Sequence, residues 1–488
     1  MLTYSSLGKC NILNRVYGGD AVFLRGTSEY INFTHGYWSA RQSDVSPSCI
    51  FIPAAAFDVS TFVLLSRVTR CPFAAKSGGH ATFAGASSIE SGITISLAKL
   101  KGIRLSPDKR IASVGAGNLW GDVYRELAKS DVSVIGGRLY DIGVGGLTTG
   151  GGISYFSAQY GWACDNVESY DVVTASGVIL QASASQHPDL YWALRGGGNN
   201  FGLVVNFNLN TISLPGGLMW GGTRTYLSDS FPAVEEAFEG VIEDTPQDPG
   251  AGLWLLFAAV GGIEIAAPAL YHLQPNAGNA TIWSKFNEIP ATDDTTRTRV
   301  LADWAEETTT GSPGGLRQIY YPISVKADLG ILRFARELFF ETVVSVTDVS
   351  GILPLIAAQG ITTPLLQQMR KNGGNALGLD EANGPLYIIH MGATWENIED
   401  DSTIFQWMTT VLRGITAEAK VRGLHSDFIY MNYANQFQDV ISSYGAANKD
   451  RLKTIASRYD PTRVFQDLQP GYFKLDHGPI PNPTGFNR

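Results

Sequence analysis

Two glycine clusters, each following an apolar run, constrain this chain more than any other feature. The first is Lys76-Ser77-Gly78-Gly79-His80, which follows Phe73-Ala74-Ala75. The second is Gly143-Val144-Gly145-Gly146-Leu147-Thr148-Thr149-Gly150-Gly151-Gly152, beyond a strand expected over Val132 to Ile135. Glycine lets the backbone approach a neighbour closely, and consecutive free N–H groups can cradle an extended anion such as a pyrophosphate. Neither cluster is a Walker loop, because G-x-x-x-x-G-K-[ST] is absent, and the second does not satisfy G-x-G-x-x-G. There is no G-x-S-x-G elbow and no H-E-x-x-H. The pair suits a large dinucleotide lying between two subdomains, outside the standard Rossmann arrangement.

The surrounding periodicity is that of an α+β protein. Cys49 to Ala54, a helix capped by Asp58 with Val59, Phe62, Val63 and Val68 on one face, and Cys71 to Lys76 form a strand–helix–strand unit. It places Gly78-Gly79-His80 at a strand's C-terminal end, where open α/β sheets bind ligands. A hairpin over Ile103 to Val114, a helix capped by Asn118 and a hairpin over Val167 to Ala182 follow. His187-Pro188-Asp189 opens a short helix, and an alternating strand runs from Leu203 to Leu209.

Pro215-Gly216-Gly217 marks a boundary, so domains are expected over 1–215, 216–423 and 424–488. In the middle segment, helices are expected at Phe231 to Ile242, Thr298 to Glu307, Ile331 to Val344 and Thr403 to Arg422. Strands are expected at Leu253 to Val260, Ile263 to Leu270 and Leu386 to Gly392, with Trp254 and Phe257 on opposite faces. The last segment carries a strand at Phe428-Ile429-Tyr430 and a helix from Ala447 to Arg458, and returns to the first domain.

With 488 residues the chain exceeds one simple core. A net charge of -9 argues against a general nucleic-acid binder, and no apolar run is long enough to span a membrane. The four cysteines and seven histidines show no metal-ligand spacing, so no metal is expected; Cys10 and Cys49 are candidates for a disulfide. The start, Met1-Leu2-Thr3-Tyr4, has no signal-peptide pattern, which suits either an intracellular protein or one whose leader was removed.

Several further motifs stand in order with the glycine clusters: Tyr160-Gly161, Asp165-Asn166-Val167, Trp192-Ala193-Leu194-Arg195-Gly196-Gly197-Gly198, Tyr430-Met431-Asn432-Tyr433, Tyr444-Gly445, Asn448 and Tyr459-Asp460-Pro461. Together they resemble the berberine-bridge-enzyme-like oxidases of the vanillyl-alcohol-oxidase/PCMH flavoprotein superfamily. The likeness covers about Ser48 to Leu214 and Phe428 to Phe465. It implies a PCMH-type FAD-binding domain of two subdomains, and a substrate domain with an antiparallel sheet flanked by helices. It implies FAD held by Lys76, Ser77, Gly78, Gly79, Gly143, Gly145, Gly146, Thr149, Gly150, Gly151, Gly152, Tyr160, Gly161, Val204 and Asn448, with His80 bonded to the flavin 8α-methyl.

Many relatives carry a second tether, a cysteine four residues before the first glycine of the second cluster. Leu139 stands there, so a single covalent link through His80 is expected. The residue before that glycine, Ile142, is bulkier than the Val associated with fast oxidases. The implied activity is oxidation of a natural-product or sugar hydroxyl, or an amine, by hydride transfer to flavin, with oxygen as acceptor and hydrogen peroxide as product. Tyr430 and Tyr433 are the candidate bases and His390 a candidate substrate contact. A non-redox cyclase or binding module that retains the flavin is the alternative.

Overall fold

The computed structural model describes residues 6–482; the N-terminal Met1–Tyr4, read above for a leader, lies outside them. Among the described residues the strands form three sheets. The smallest has the order Val22–Leu24, Cys49–Phe51, Ile93–Ser96, Phe73–Lys76; its last three strands are parallel. The helix Ala56–Thr69 makes the crossover and buries Val59, Phe62 and Val63. Helix Ser6–Tyr17 is stapled to this sheet by a Cys10–Cys49 disulfide.

The second sheet is built on Leu203–Ser213, flanked antiparallel by Ile111–Gly115 and Val167–Val173. Both expected hairpins form its edges, through Ile103–Leu105 and Ile179–Ser183. Leu203, Val205, Phe207 and Leu209 point into the core while the intervening asparagines are half-buried, as the alternation required.

The third sheet has ten strands and starts at Leu218–Leu227, directly after the Pro215–Gly217 turn. Its central strand Leu386–Trp395 is buried at every position because both faces are covered. Tyr387, Ile389 and Met391 face the helices Phe231–Asp244, Leu329–Val343 and Asp401–Val421, whereas Leu386 and Ile388 join the core of the first two sheets. Trp254 and Phe257 obey the same parity: Phe257 lies in the helix-side core and Trp254 against the other. After Ser426 the chain returns, and Phe428, Tyr430, Met431 and Tyr444 are buried with the first two sheets.

Several local expectations are corrected. Asp58 is not the N-cap; it sits at the third helical position, and its carboxylate accepts the N–H groups of Ala54 and Ala55, each at 3.0 Å. Val68 is 81% exposed because Ser66 takes the inward slot one turn beyond Phe62 and Val63. Asn118 turns back to the Gly115 carbonyl, 2.9 Å away, and the helix starts at Trp120. Thr298 lies on a strand, Arg297–Val300, paired with Leu218–Leu227, so the helix begins only at Leu301. Ile263 to Leu270 breaks into Ile263–Ala266 and Ala269–His272 around Pro268, which has no N–H for a ladder. Phe428-Ile429-Tyr430 is not a strand; it leads into a 3-10 turn, Met431–Tyr433.

Candidate active site

Strand Phe73–Lys76 ends by releasing Ser77–His80 against the second glycine cluster. Ser77 ties the loops together: its hydroxyl donates to the Ala116 carbonyl (2.6 Å) and accepts the Gly145 N–H (3.1 Å). Gly78 and Gly143 touch through their backbones. A Cβ on Gly78 would lie 2.4 Å from the Gly143 nitrogen, so neither position has room for a side chain. Nothing lies within 4 Å of a Cβ placed on Gly146, which opens onto a cavity also lined by Gly79, His80, Thr149 and Val204.

The His80 ring stacks on Trp38 with 3.9 Å between centroids and 16° between planes. Its Nε2 is 3.6 Å from Asp141, an ion-pair distance too long for a hydrogen bond, and has no bonded partner. Burial works against charge on Asp141, but the His80 side chain outweighs it and holds the carboxyl below its ordinary range.

The returning tail adds two tyrosines with different surroundings. The Tyr430 oxygen accepts the N–H groups of Gly152 (3.2 Å) and Ile153 (3.0 Å) and the Asn432 amide (3.1 Å), so it clasps the end of the second cluster. The Tyr433 oxygen accepts Arg138 Nη2 (2.6 Å) and Gln359 Nε2 (3.0 Å). Arg138 also donates to Gln359 Oε1 (2.7 Å) and lies 4.5 Å from the Trp254 ring centroid. His390 packs against Tyr433 with 4.7 Å between centroids, and its Nδ1 has no partner. Burial, helped by the Arg138 charge, pulls its imidazole down to about 3, so it is neutral under ordinary conditions.

That depression has a consequence for stability. An unfolded imidazole titrates near ~6.5, so between there and about 3 the unfolded chain binds a proton that the fold refuses. The contribution is intact above pH ~6.5 and is lost as pH falls, reaching about 2 kcal/mol near pH 5. His390→Gln should therefore flatten the fall in Tm between pH ~7 and ~5 in a thermal melt series; parallel curves would mean His390 is solvated.

Ser77, Gly78, Gly79, His80, Gly143, Gly145, Gly146, Thr149, Val204, His390, Tyr430 and Tyr433 line one cavity, with Leu139 and Ile142. The other expected residues do not. Lys76 turns away, its ammonium 4.7 Å from each of the Phe33 and Tyr37 ring centroids, and burial lowers it to about 8. Gly150, Gly151 and Gly152 pack against Asn432, Trp162 and Leu147, leaving no room for side chains but forming no cavity wall. Tyr160 offers its carbonyl to Asn166 and Lys371, and Gly161 follows with φ +89° as a helix stop. Asn448 donates to the Ala376 carbonyl at 3.4 Å and is not among the residues that line the cavity. Arg138, Gln359, Trp38, Asp141 and Tyr320 were missed. Only Arg138, adjacent to Leu139 and after Gly136-Gly137, carried a local signal: a lone cation in an apolar glycine run.

A glycine-walled cavity that turns bare backbone inward and has His80 in its lining fits FAD, and the fold with this site defines an FAD-binding oxidoreductase. Residues 47–183 match the FAD binding domain family and residues 429–470 the family described as berberine and berberine like. The chain is 38% identical over 458 residues to the FAD-dependent monooxygenase tpcD of Cochliobolus heterostrophus, covering 90% of this chain and 87% of the relative. It is 34% identical to the FAD-dependent monooxygenase drtC of Aspergillus calidoustus, covering 96% and 91%. In fold it is similar to 6-hydroxy-D-nicotine oxidase from Arthrobacter nicotinovorans (TM-score 0.78, 20% identity, 93% and 97% covered). It is also similar to xylooligosaccharide oxidase from Myceliophthora thermophila (TM-score 0.76, 20% identity, 96% and 99% covered). The chain belongs to the berberine-bridge-enzyme-like FAD-dependent oxidoreductases.

Proposed function

We propose that this protein oxidises a small molecule, of the natural-product kind, with FAD tethered through His80 alone. The observation that carries the reading is one cavity lined by both His80 and the hydrogen-bonded Arg138–Tyr433 pair, which Gln359 braces from behind. FAD bound there would supply the hydride acceptor, with oxygen as the final electron acceptor. Ser77, Gly78, Gly79, Gly143, Gly145 and Gly146 would form its wall, their bare backbone admitting it closely. Asp141 lies on the Nε2 side of His80, which favours the ring proton there and leaves the lone pair on Nδ1 for the tether. Leu139 offers no second bond, and Ile142 narrows the approach of oxygen.

Tyr433 is the residue to hold or pass the substrate's hydroxyl proton, because its oxygen lies beneath a fixed positive charge. Tyr430 is occupied with the glycine cluster. His390, neutral and buried, contributes shape and a hydrogen-bonding nitrogen. Mixing holoenzyme anaerobically with panels of phenols, sugars and amines should bleach the flavin for true substrates before oxygen is admitted. Turnover with no bleaching would overturn the redox reading in favour of a cyclase that only houses the flavin.

A further inference from the structure

We infer that the substrate is held as an oxyanion: an acidic hydroxyl, phenolic or enolic, ionised against Arg138. The inference rests on taking this cavity as the substrate site. Its starting point is a buried cation with nothing to neutralise it. Arg138 is 7% exposed, yet its hydrogen bonds go to two uncharged groups, the Tyr433 hydroxyl and the Gln359 amide oxygen. Other buried arginines of this chain are neutralised or spend their donors on the backbone. Arg317 binds Asp44 and Asp401, Arg299 binds Glu307 and Arg224 binds Asp294. Arg41 and Arg195 reach backbone carbonyls. Arg138 does neither.

Every acid that might serve is engaged elsewhere or absent. No Asp or Glu lines the cavity. Asp141, three residues along, faces His80 and Thr309. The titratable groups that feel Arg138 are the phenols of Tyr433, Tyr271, Tyr155, Tyr430, Tyr320 and Tyr124, together with neutral His390. A desolvated charge without a counter-ion is costly, and the cost is recovered when an anion arrives. The bonds to Tyr433 and Gln359 both leave from Nη2, and the Tyr271 phenol lies close against the same side chain. The guanidinium carries five N–H groups, and those left over are the donors for the incoming charge.

The same charge selects the substrate class. An alkylammonium would meet Arg138 with no carboxylate to balance it, so amines are disfavoured. An unactivated sugar hydroxyl gains little from a cation it cannot ionise against. Flatness is selected as well: Tyr320, Tyr433 and His390 converge with ring centroids 4.7 to 5.7 Å apart. A phenol or enol meets both demands. On binding, its O–H bond breaks, Tyr433 passes the proton on to solvent, and the electron pair stays on the oxygen beside Arg138; nothing is oxidised in this step.

The test uses holoenzyme and 4-nitrophenol, whose ionised form has its own absorption band, so the readout needs no turnover. Bound to wild type, the probe should ionise about one pH unit or more below its free midpoint. Arg138→Gln should abolish that shift, and Arg138→Lys should keep it with affinity reduced about tenfold. A probe that binds wild type unionised overturns the proposal, even if neither variant folds. So does an unchanged shift in Arg138→Gln. A variant that loses only flavin reduction potential, with the probe still ionised, would assign Arg138 to the reduced cofactor and overturn it too. Benzoate displacing the probe about tenfold better than phenol does would place a carboxylate in the site and overturn the hydroxyl assignment. Loss of flavin bleaching by every substrate tried would sink the oxidase reading while leaving the probe result standing.

Discussion

His80→Ala should release all of the flavin into the supernatant on acid precipitation, while the wild-type pellet stays yellow. The expectation is all-or-none because no second attachment is in reach: Leu139 lines the cavity where relatives place a cysteine, and Cys164 is fully buried with its thiol raised by desolvation. His80 stands in the cavity wall among the glycines. Strand Phe73–Lys76 delivers it at its C-terminal end, and Trp38 fixes the ring plane by stacking. Asp141 stands 3.6 Å from one ring nitrogen. The variant should still fold, since the ring makes no hydrogen bond that its loss would strand. Wild-type flavin that washes out freely in acid would refute the tether.

The second large effect separates the two tail tyrosines. Tyr433→Phe should lower kcat by about 10²- to 10⁴-fold with covalent flavin retained, the range lost when a positioned proton-transfer group is removed. Tyr430→Phe should instead lower Tm. Its oxygen is the acceptor for the buried Gly152 and Ile153 N–H groups, and each donor left unpaired costs about 1–3 kcal/mol. Flavin content, Tm and kcat measured on both variants decide the matter. A Tyr430→Phe enzyme that is stable but inactive, beside an active Tyr433→Phe, would exchange the assignments. Arg138 and Gln359 are what distinguish the residues: the Tyr433 oxygen shares its hydrogen bonds with a cation, the Tyr430 oxygen with backbone.

Much of this was legible in the order of the residues. The glycine clusters have to be glycine because two loops meet backbone to backbone, a constraint that sequence records directly. The period of two along Leu386 to Gly392 put His390 on the side of Ile388, and tertiary packing covers that side with the first two sheets and the cavity. Cys10 and Cys49 were a candidate pair that only proximity joined. Local rules failed where a neighbour outbid them. Thr298 lies on a strand because Leu218–Leu227 offers an edge to pair with.

What sequence alone determined, then, is the glycine-histidine end of the site: Gly78, Gly79 and His80 are contiguous, and short-range backbone geometry sets their arrangement. The Arg138–Tyr433 end was decided only by the tertiary structure. Arg138 meets Gln359 across 221 residues and Tyr433 across 295, bringing together the segment before the second glycine cluster, the ten-stranded sheet and the returning tail. A buried cation has no local signature. Its meaning lies in the charges that surround it, and those are fixed only when distant segments pack together and exclude water.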